Sequence, residues 1–212
     1  MSEAIAGIVI PDTRLVADAT AFVRDVTNDL LYNHSRRVFL FGALQGKRRE
    51  LKPDPELLYV GALFHDVGLT PDHRTDSVRF EVDSANAAQQ FLRDHDVPED
   101  DVARVWLSIA LHTTPGIPEF LEPEVALVTA GVEFDVLGIG YRDLAPELIA
   151  EVTSAHPRPD FKRQILRAFT EGNMQRRQTT FGNVNADVLE RFCPGFERAN
   201  FVDIIEGSDW PD

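Results

Sequence analysis

The chain has 212 residues, of which 43% are hydrophobic and 26% charged, a length that can bury one substantial core and a composition that excludes a disordered or membrane-embedded protein. A net charge of -14 argues against a nucleic-acid partner, whose binding depends on Lys and Arg neutralising phosphates, and leaves a small molecule as the expected partner. No apolar run approaches the roughly 20 residues that span a bilayer, the first residues lack the basic-then-apolar order of a secretory signal, and the single cysteine, Cys193, cannot form an internal disulfide, so the expected setting is the cytoplasm, without a membrane partner.

Between Asp12 and Leu31 the apolar positions Leu15, Val16, Ala19, Phe22, Val23, Val26, Leu30 and Leu31 recur at three- and four-residue steps, which predicts an amphipathic helix. Asn33 or Ser35 is then placed to cap a second helix running to the basic group Lys47-Arg48-Arg49, with His34 at or near its start. Both this group and Arg36-Arg37 read as solvated helix ends, unless they offset the global charge for a phosphorylated substrate. Pro53-Asp54-Pro55 opens a helix from Leu57 to His65, after which Gly68 lets the chain turn away. The polar stretch Thr70 to Asp76 is a loop beside that helix end.

Helices follow over Val78 to His95, with Asp83 read as outward, and over Pro98 to His112. From Pro123 to Leu137 the segment is apolar almost throughout, which predicts a helix buried on most sides. Further helices are expected at Leu144 to Ala155, Phe161 to Arg177, Ala186 to Phe192 and Ala199 to Ile205. No strand-length alternation between hairpin turns stands out, so the predicted fold is all-α. The expected organisation is a single domain over 1–212, with a core at about 30–140, C-terminal helices at 141–205 and an acidic tail at 206–212. Trp210 in that tail either packs back or meets a second subunit, and a homodimer is expected only from the prevalence of two-fold assemblies. Cys193 reads as a small packing residue.

The chemistry concentrates where polar side chains interrupt apolar helices. His65-Asp66 closes the run Leu57 to Phe64; His34 and Asp135 interrupt two other segments. A carboxylate such as Asp135 in an apolar helix must be paired or bound to a cation to offset its desolvation; a metal or an arginine would serve. The order His, His-Asp, Asp on successive helices resembles the HD-domain superfamily of metal-dependent hydrolases, over roughly His34 to Gly138. Within it, Asn33 to Gly42, then Leu63-Phe64-His65-Asp66-Val67-Gly68-Leu69-Thr70 and Arg79-Phe80-Glu81, look most like the cyanamide hydratase branch.

That resemblance implies an HD helical bundle in which His34, His65, Asp66 and Asp135 hold one divalent transition metal. Zinc or iron is implied by the branch, while Mn, Co and Ni suit the same donors. The expected activity is that of a hydrolase or hydro-lyase using metal-bound water on a small, possibly nitrile-like substrate. A nucleotide or sugar phosphohydrolase drawing on Arg36, Arg37, Arg74 or Arg79 is the alternative, and a non-catalytic metal-binding or sensing module is another. For proton handling the candidates are Asp66 and Glu81, the latter otherwise a solvated carboxylate. His112 is either near the site or a satisfied core histidine, and Thr70 either orients substrate or only ends a helix. Few histidines lie between the doublet and Asp135: His73 falls in a loop and His95 at an exposed helix end, so a mononuclear site is favoured.

Overall fold

The computed structural model describes residues 3–210; Pro211 and Asp212 of the acidic tail, and Met1 and Ser2 of the start, lie outside the described residues. Ten α-helices carry the described part of the chain: α1 (Arg14–Val26), α2 (Asp29–Arg48), α3 (Pro55–Phe64), α4 (Phe80–Asp94), α5 (Glu99–Ala110), α6 (Pro123–Val132), α7 (Pro146–Ala155), α8 (Phe161–Asn173), α9 (Asn185–Phe192) and α10 (Phe201–Glu206). The all-α expectation holds, with one small departure. A hairpin of two-residue strands, β1 (Ala4–Ile5) and β2 (Ile8–Val9), pairs antiparallel at the N-terminus and buries Ile5 and Ile8. Strands this short leave no alternation to read.

Local caps set the helix boundaries. The periodic residues 15 to 31 do not form one helix, because Thr27 and Asn28 are both extended and the Asn28 side chain accepts a hydrogen bond from the Leu31 N–H at 3.0 Å. Leu30 and Leu31 therefore belong to α2, and His34 sits inside its second turn, not at a helix start. Pro53-Asp54-Pro55 opens α3 as its sequence suggests, with Pro55 in the first turn and the Asp54 side chain accepting from the N–H groups of Glu56 and Leu57.

Two glycines decide how α2 meets α6. A Cβ on Gly42 would lie 2.5 Å from the Leu127 carbonyl oxygen, and one on Gly131 would lie 2.2 Å from that of Val38. The helices thus touch backbone to backbone in an antiparallel register, Gly42 against Leu127 and Val38 against Gly131. One turn further along the same register, His34 faces Asp135. Asp135 lies in a wide π-type turn, Glu133–Leu137, that extends α6 and ends at Gly138 with φ 72°. Such turns often occur at functional sites.

Gly68 serves a different purpose from the one its sequence position suggests. Its φ is not positive, but a Cβ there would lie 2.2 Å from the Phe80 carbonyl oxygen and 2.8 Å from the Ser84 nitrogen. Only glycine lets the short 3-10 turn Val67–Leu69 press against α4, where the Gly68 N–H donates to Ser84 Oγ at 2.8 Å.

The main core is built from α1 to α6 together with the N-terminal hairpin (Ile5, Ile8) and Ile149 and Val152 of α7. A second, smaller apolar group of Leu31, Leu69, Phe80, Phe161 and Ile165 forms where α8 packs across α2, α4 and the 3-10 turn. The segment 161–177, read as one helix, ends at Asn173; Arg176 then turns inward, fully buried, to pair with Asp83 at 2.6 Å and donate to the Gly68 carbonyl at 3.1 Å. Asp83 is accordingly buried rather than outward.

Candidate metal centre

Three side chains converge beneath that smaller apolar group. His34 comes from α2, and His65 and Asp66 from the end of α3, where His65 still has helical backbone angles and Asp66 has left the helix. Mid-helix, adjacent side chains would diverge by about 100°; at the helix end these two face one point. His34 Nε2 and His65 Nε2 are 3.1 Å apart, and Asp66 Oδ2 lies 3.7 Å from the first and 3.4 Å from the second. All three residues are buried, and their donor atoms form a compact group able to hold a metal ion.

The hydrogen-bond roles of the imidazoles follow from their other nitrogens. His34 Nδ1 lies 2.7 Å from Asp135 Oδ2, and His65 Nδ1 lies 2.7 Å from the Ala62 carbonyl oxygen; neither acceptor carries a proton, so both Nδ1 atoms donate. Each Nε2 is left with a lone pair, and the two point at each other. Both oxygens of Asp66, which is likewise buried, have no hydrogen-bond partner among the described residues. A proton shared between the imidazoles would relieve one contact and leave Asp66 unpaired. One cation among the three relieves all of them, and the mixed nitrogen and oxygen donor set suits a divalent transition metal.

His112, at the end of α5, stands beside this group. Its Nδ1 donates to the Ile109 carbonyl at 2.6 Å, while Nε2 is buried, unpartnered and 3.7 Å from Asp66 Oδ1. Its ring packs edge-on to His65, with centroids 4.9 Å apart. Burial, reinforced by His65, pushes its pKa down to about 4, so His112 presents a neutral lone pair. It is near the site rather than a satisfied core histidine.

Asp135 is placed differently from its sequence-based role as a fourth ligand. Its Oδ1 accepts from Arg37 Nε at 2.9 Å and pairs with Arg158 Nε at 3.0 Å, and its Oδ2 accepts from Arg37 Nη2 at 2.9 Å and from His34. Burial alone would raise this carboxyl; the His34 and Arg37 hydrogen bonds hold it well below the usual carboxylate range. Both oxygens are occupied on the far side of the His34 ring from His65. Arg36 and Arg37, read as a solvated helix end, are buried instead, because the α2 to α6 register turns Arg37 onto Asp135. Lys47, Arg48 and Arg49 are exposed as expected.

Glu81 is fully buried rather than solvated. It accepts from Arg79 at 3.0 Å, from Asn185 at 3.1 Å and from the Thr113 hydroxyl. Burial would raise its pKa, but Arg79, His112 and Thr113 together outweigh it and hold Glu81 below its ordinary value. Thr70 is buried with its hydroxyl bonded to the Val67 carbonyl at 2.7 Å, the geometry of a helix-ending residue. His73 and His95 lie elsewhere, His73 against Phe22 and His95 against Asp18. Missed in the sequence were Arg158 and Asn185, and for Arg37, considered there only as a solvated or phosphate-binding cation, its pairing with Asp135; their partners lie 23, 104 and 98 residues away, and no local pattern marks them.

A helical bundle that presents an imidazole from inside α2 and an imidazole and a carboxylate from the end of α3, with unshared lone pairs turned inward, defines a helical scaffold able to bind a metal ion. The HD domain family model matches residues 31–160, and the chain belongs to that family. HD domains bind divalent metals and are generally metal-dependent hydrolases. No curated protein matches the sequence, and no helix among the described residues is long and apolar enough to cross a membrane.

Proposed function

We propose that the protein is a mononuclear metal-dependent hydrolase or hydro-lyase acting on a small, uncharged electrophile of the nitrile type. The observation that carries this reading is the set of inward lone pairs on His34, His65 and Asp66 lying directly under an apolar wall. Those three residues would hold the ion. A divalent ion bound there would polarise an electrophile and lower the pKa of water.

The chain's own groups have separable roles. Asp135 fixes the His34 tautomer by accepting its Nδ1–H, and Arg37 and Arg158 fix Asp135 in turn; such outer partners orient metal ligands. His112 Nε2, without a hydrogen-bond partner among the described residues and beside Asp66, would take the proton that water loses as its oxygen bonds the nitrile carbon and return it to the nitrile nitrogen. Glu81, held by Arg79, Thr113 and Asn185, adds a negative charge near His112 that, behind that of Asp66, opposes the lowering of its pKa by burial and His65. Phe161 lies 5.3 Å from the His34 ring and Phe80 5.5 Å from His112, so the substrate meets aromatic walls that exclude water.

The cations that a phosphate ester would need are already engaged. Arg37 holds Asp135, Arg36 holds Tyr59 and Glu3, Arg79 holds Glu81, and Arg74 bonds the Glu171 carbonyl. This favours a neutral substrate, as does the likeness to the cyanamide hydratase branch. The phosphohydrolase reading retains one supporting feature, a cavity of about 250 Å³ that reaches Asp135 between Arg158 and Lys162. Protein reconstituted separately with Zn, Fe(II) and Mn, assayed on cyanamide and small nitriles beside mononucleotides and sugar phosphates, decides between them. Turnover of the nitriles, lost in Asp66→Ala, supports the proposal. Phosphate release without nitrile turnover replaces it with the alternative.

A further inference from the structure

We propose that the cavity behind Asp135 is a binding site for a small organic monocarboxylate, separate from the metal centre. The cavity holds about 250 Å³ and lies between α7, the first turn of α8 and the π-type turn Glu133–Leu137. Asp135 lines it, whereas His34, His65 and Asp66 do not. The Asp135 carboxylate, with the His34 ring behind it, stands between an occupant and the inward lone pairs. The site is thus no part of the reaction proposed above, and its test does not depend on that reaction.

The charge here is opposite in sign to that of the chain. Arg37, Arg158 and Lys162 stand around Asp135 and the cavity, three cations against one carboxylate. The chain as a whole carries -14, so this is a local reversal, and it concentrates anions where it lies. Arg158 is already held in place. Its Nε lies 3.0 Å from Asp135 Oδ1, its Nη2 donates to the Asp135 carbonyl oxygen, and its guanidinium carbon lies 4.4 Å from the centre of the Phe161 ring. Its Nη1 has no acceptor among the described residues. Lys162, exposed and four residues further on, has no partner among them either. A fixed guanidinium with one free nitrogen and an ammonium beside it suit a single carboxylate.

The remaining walls select what carries that carboxylate. Phe41, Phe134 and Ile149 line the cavity and are buried, and the Tyr141 ring stacks on that of Phe134 with centroids 5.9 Å apart and planes 25° apart. These apolar walls favour an apolar body. The volume falls below the roughly 300–1,000 Å³ of pockets that take drug-sized ligands, so the body is a single ring or a short branched chain. A phosphoryl group is a poorer fit, because the N–H groups of the adjoining turn are already spent. Those of Gly138, Ile139 and Tyr141 donate to the carbonyls of Phe134, Glu133 and Gly138. Phosphate sites commonly draw on such backbone N–H groups, and here the turn offers none.

Benzoate, ionised at neutral pH, is the probe, titrated into the full-length isotope-labelled protein with backbone amide chemical shifts as the readout. Saturable shifts confined to residues 134–141 and 153–162, with a Kd on the order of 1 mM, are expected. Benzamide keeps the ring and lacks the charge, and inorganic phosphate keeps a charge and lacks the ring; each should bind at least about tenfold more weakly. Lys162→Met should weaken benzoate by about fivefold or more, and Lys162→Arg should restore it. Neither variant touches Asp135 or the residues that would hold the metal, so the rest of the spectrum should stay unchanged. Phosphate as tight as benzoate would assign the cavity to a phosphoryl group, and benzamide as tight would make it an uncharged apolar pocket. Either result overturns the proposal, as do shifts centred on His65 and Asp66, undiminished benzoate binding in Lys162→Met, or no saturation by about 20 mM.

Discussion

Replacing Asp135 with Asn tests the link between the buried ion pair and the metal ligands. The substitution keeps an oxygen able to accept the His34 Nδ1–H, but removes the charge that faces Arg37 and Arg158 and turns an NH2 toward donors. Arg37 is fully buried, so breaking its pair costs on the order of 3–5 kcal/mol. It retains hydrogen bonds to the His156 and Pro157 carbonyls at 3.1 and 2.9 Å, which places the cost near the lower end, about 3 kcal/mol. For a chain of this length that is a fall in Tm of roughly 6–12 °C. His34 keeps its tautomer but loses a charged acceptor, so metal affinity should drop about 10- to 100-fold rather than vanish. The assay is competition with a chromophoric chelator on folded variant, beside His65→Ala, which should bind no metal at this site. An Asp135→Asn protein that folds but retains no metal would mean that Asp135 is itself a ligand. One with unchanged affinity would mean that it does not position His34.

Gly131→Ala places a Cβ 2.2 Å from the Val38 carbonyl, and the overpacking should cost about 1–3 kcal/mol in a thermal melt; an unchanged Tm would refute the close approach of α2 and α6. Arg176→Met leaves Asp83 buried without its cation and should destabilise by about 3 kcal/mol or more, with faster amide exchange in α9 as the local readout; equal exchange in α9 would show that the pair does not pin the C-terminal helices. Burial, with Arg36 and Arg37 nearby, pushes His156 down to about 4 from 6.5. The unfolded chain then binds its proton first, so this group's contribution to stability is complete above about pH 6.5 and declines as pH falls toward 4; His156→Gln should flatten the Tm against pH curve in that window, and parallel curves would rule out the contribution.

Much of this protein is legible in the residue order alone. The apolar steps mark most helices, Pro55 marks the opening of α3, and the His65-Asp66 doublet at the end of an apolar run marks the centre, because these features are local; the caps read at Asn33 or Ser35 fall inside α2, which Asn28 caps instead. Boundaries failed where a cap lay inside a continuing pattern, as at Thr27-Asn28, which moved His34 from a helix start to a helix interior. The tertiary structure decided what each polar group faces. Whether Asp135 meets a metal or an arginine depends on the α2 to α6 register, fixed by backbone contact at Gly42 and Gly131. Glu81, Asp83 and Arg37 look solvated in sequence because their partners come from segments far along the chain. Charge and periodicity report how a segment presents itself to its neighbours in sequence; only packing brings Asn185 to Glu81 and Arg176 to Asp83, and so determines which charges are buried and paired.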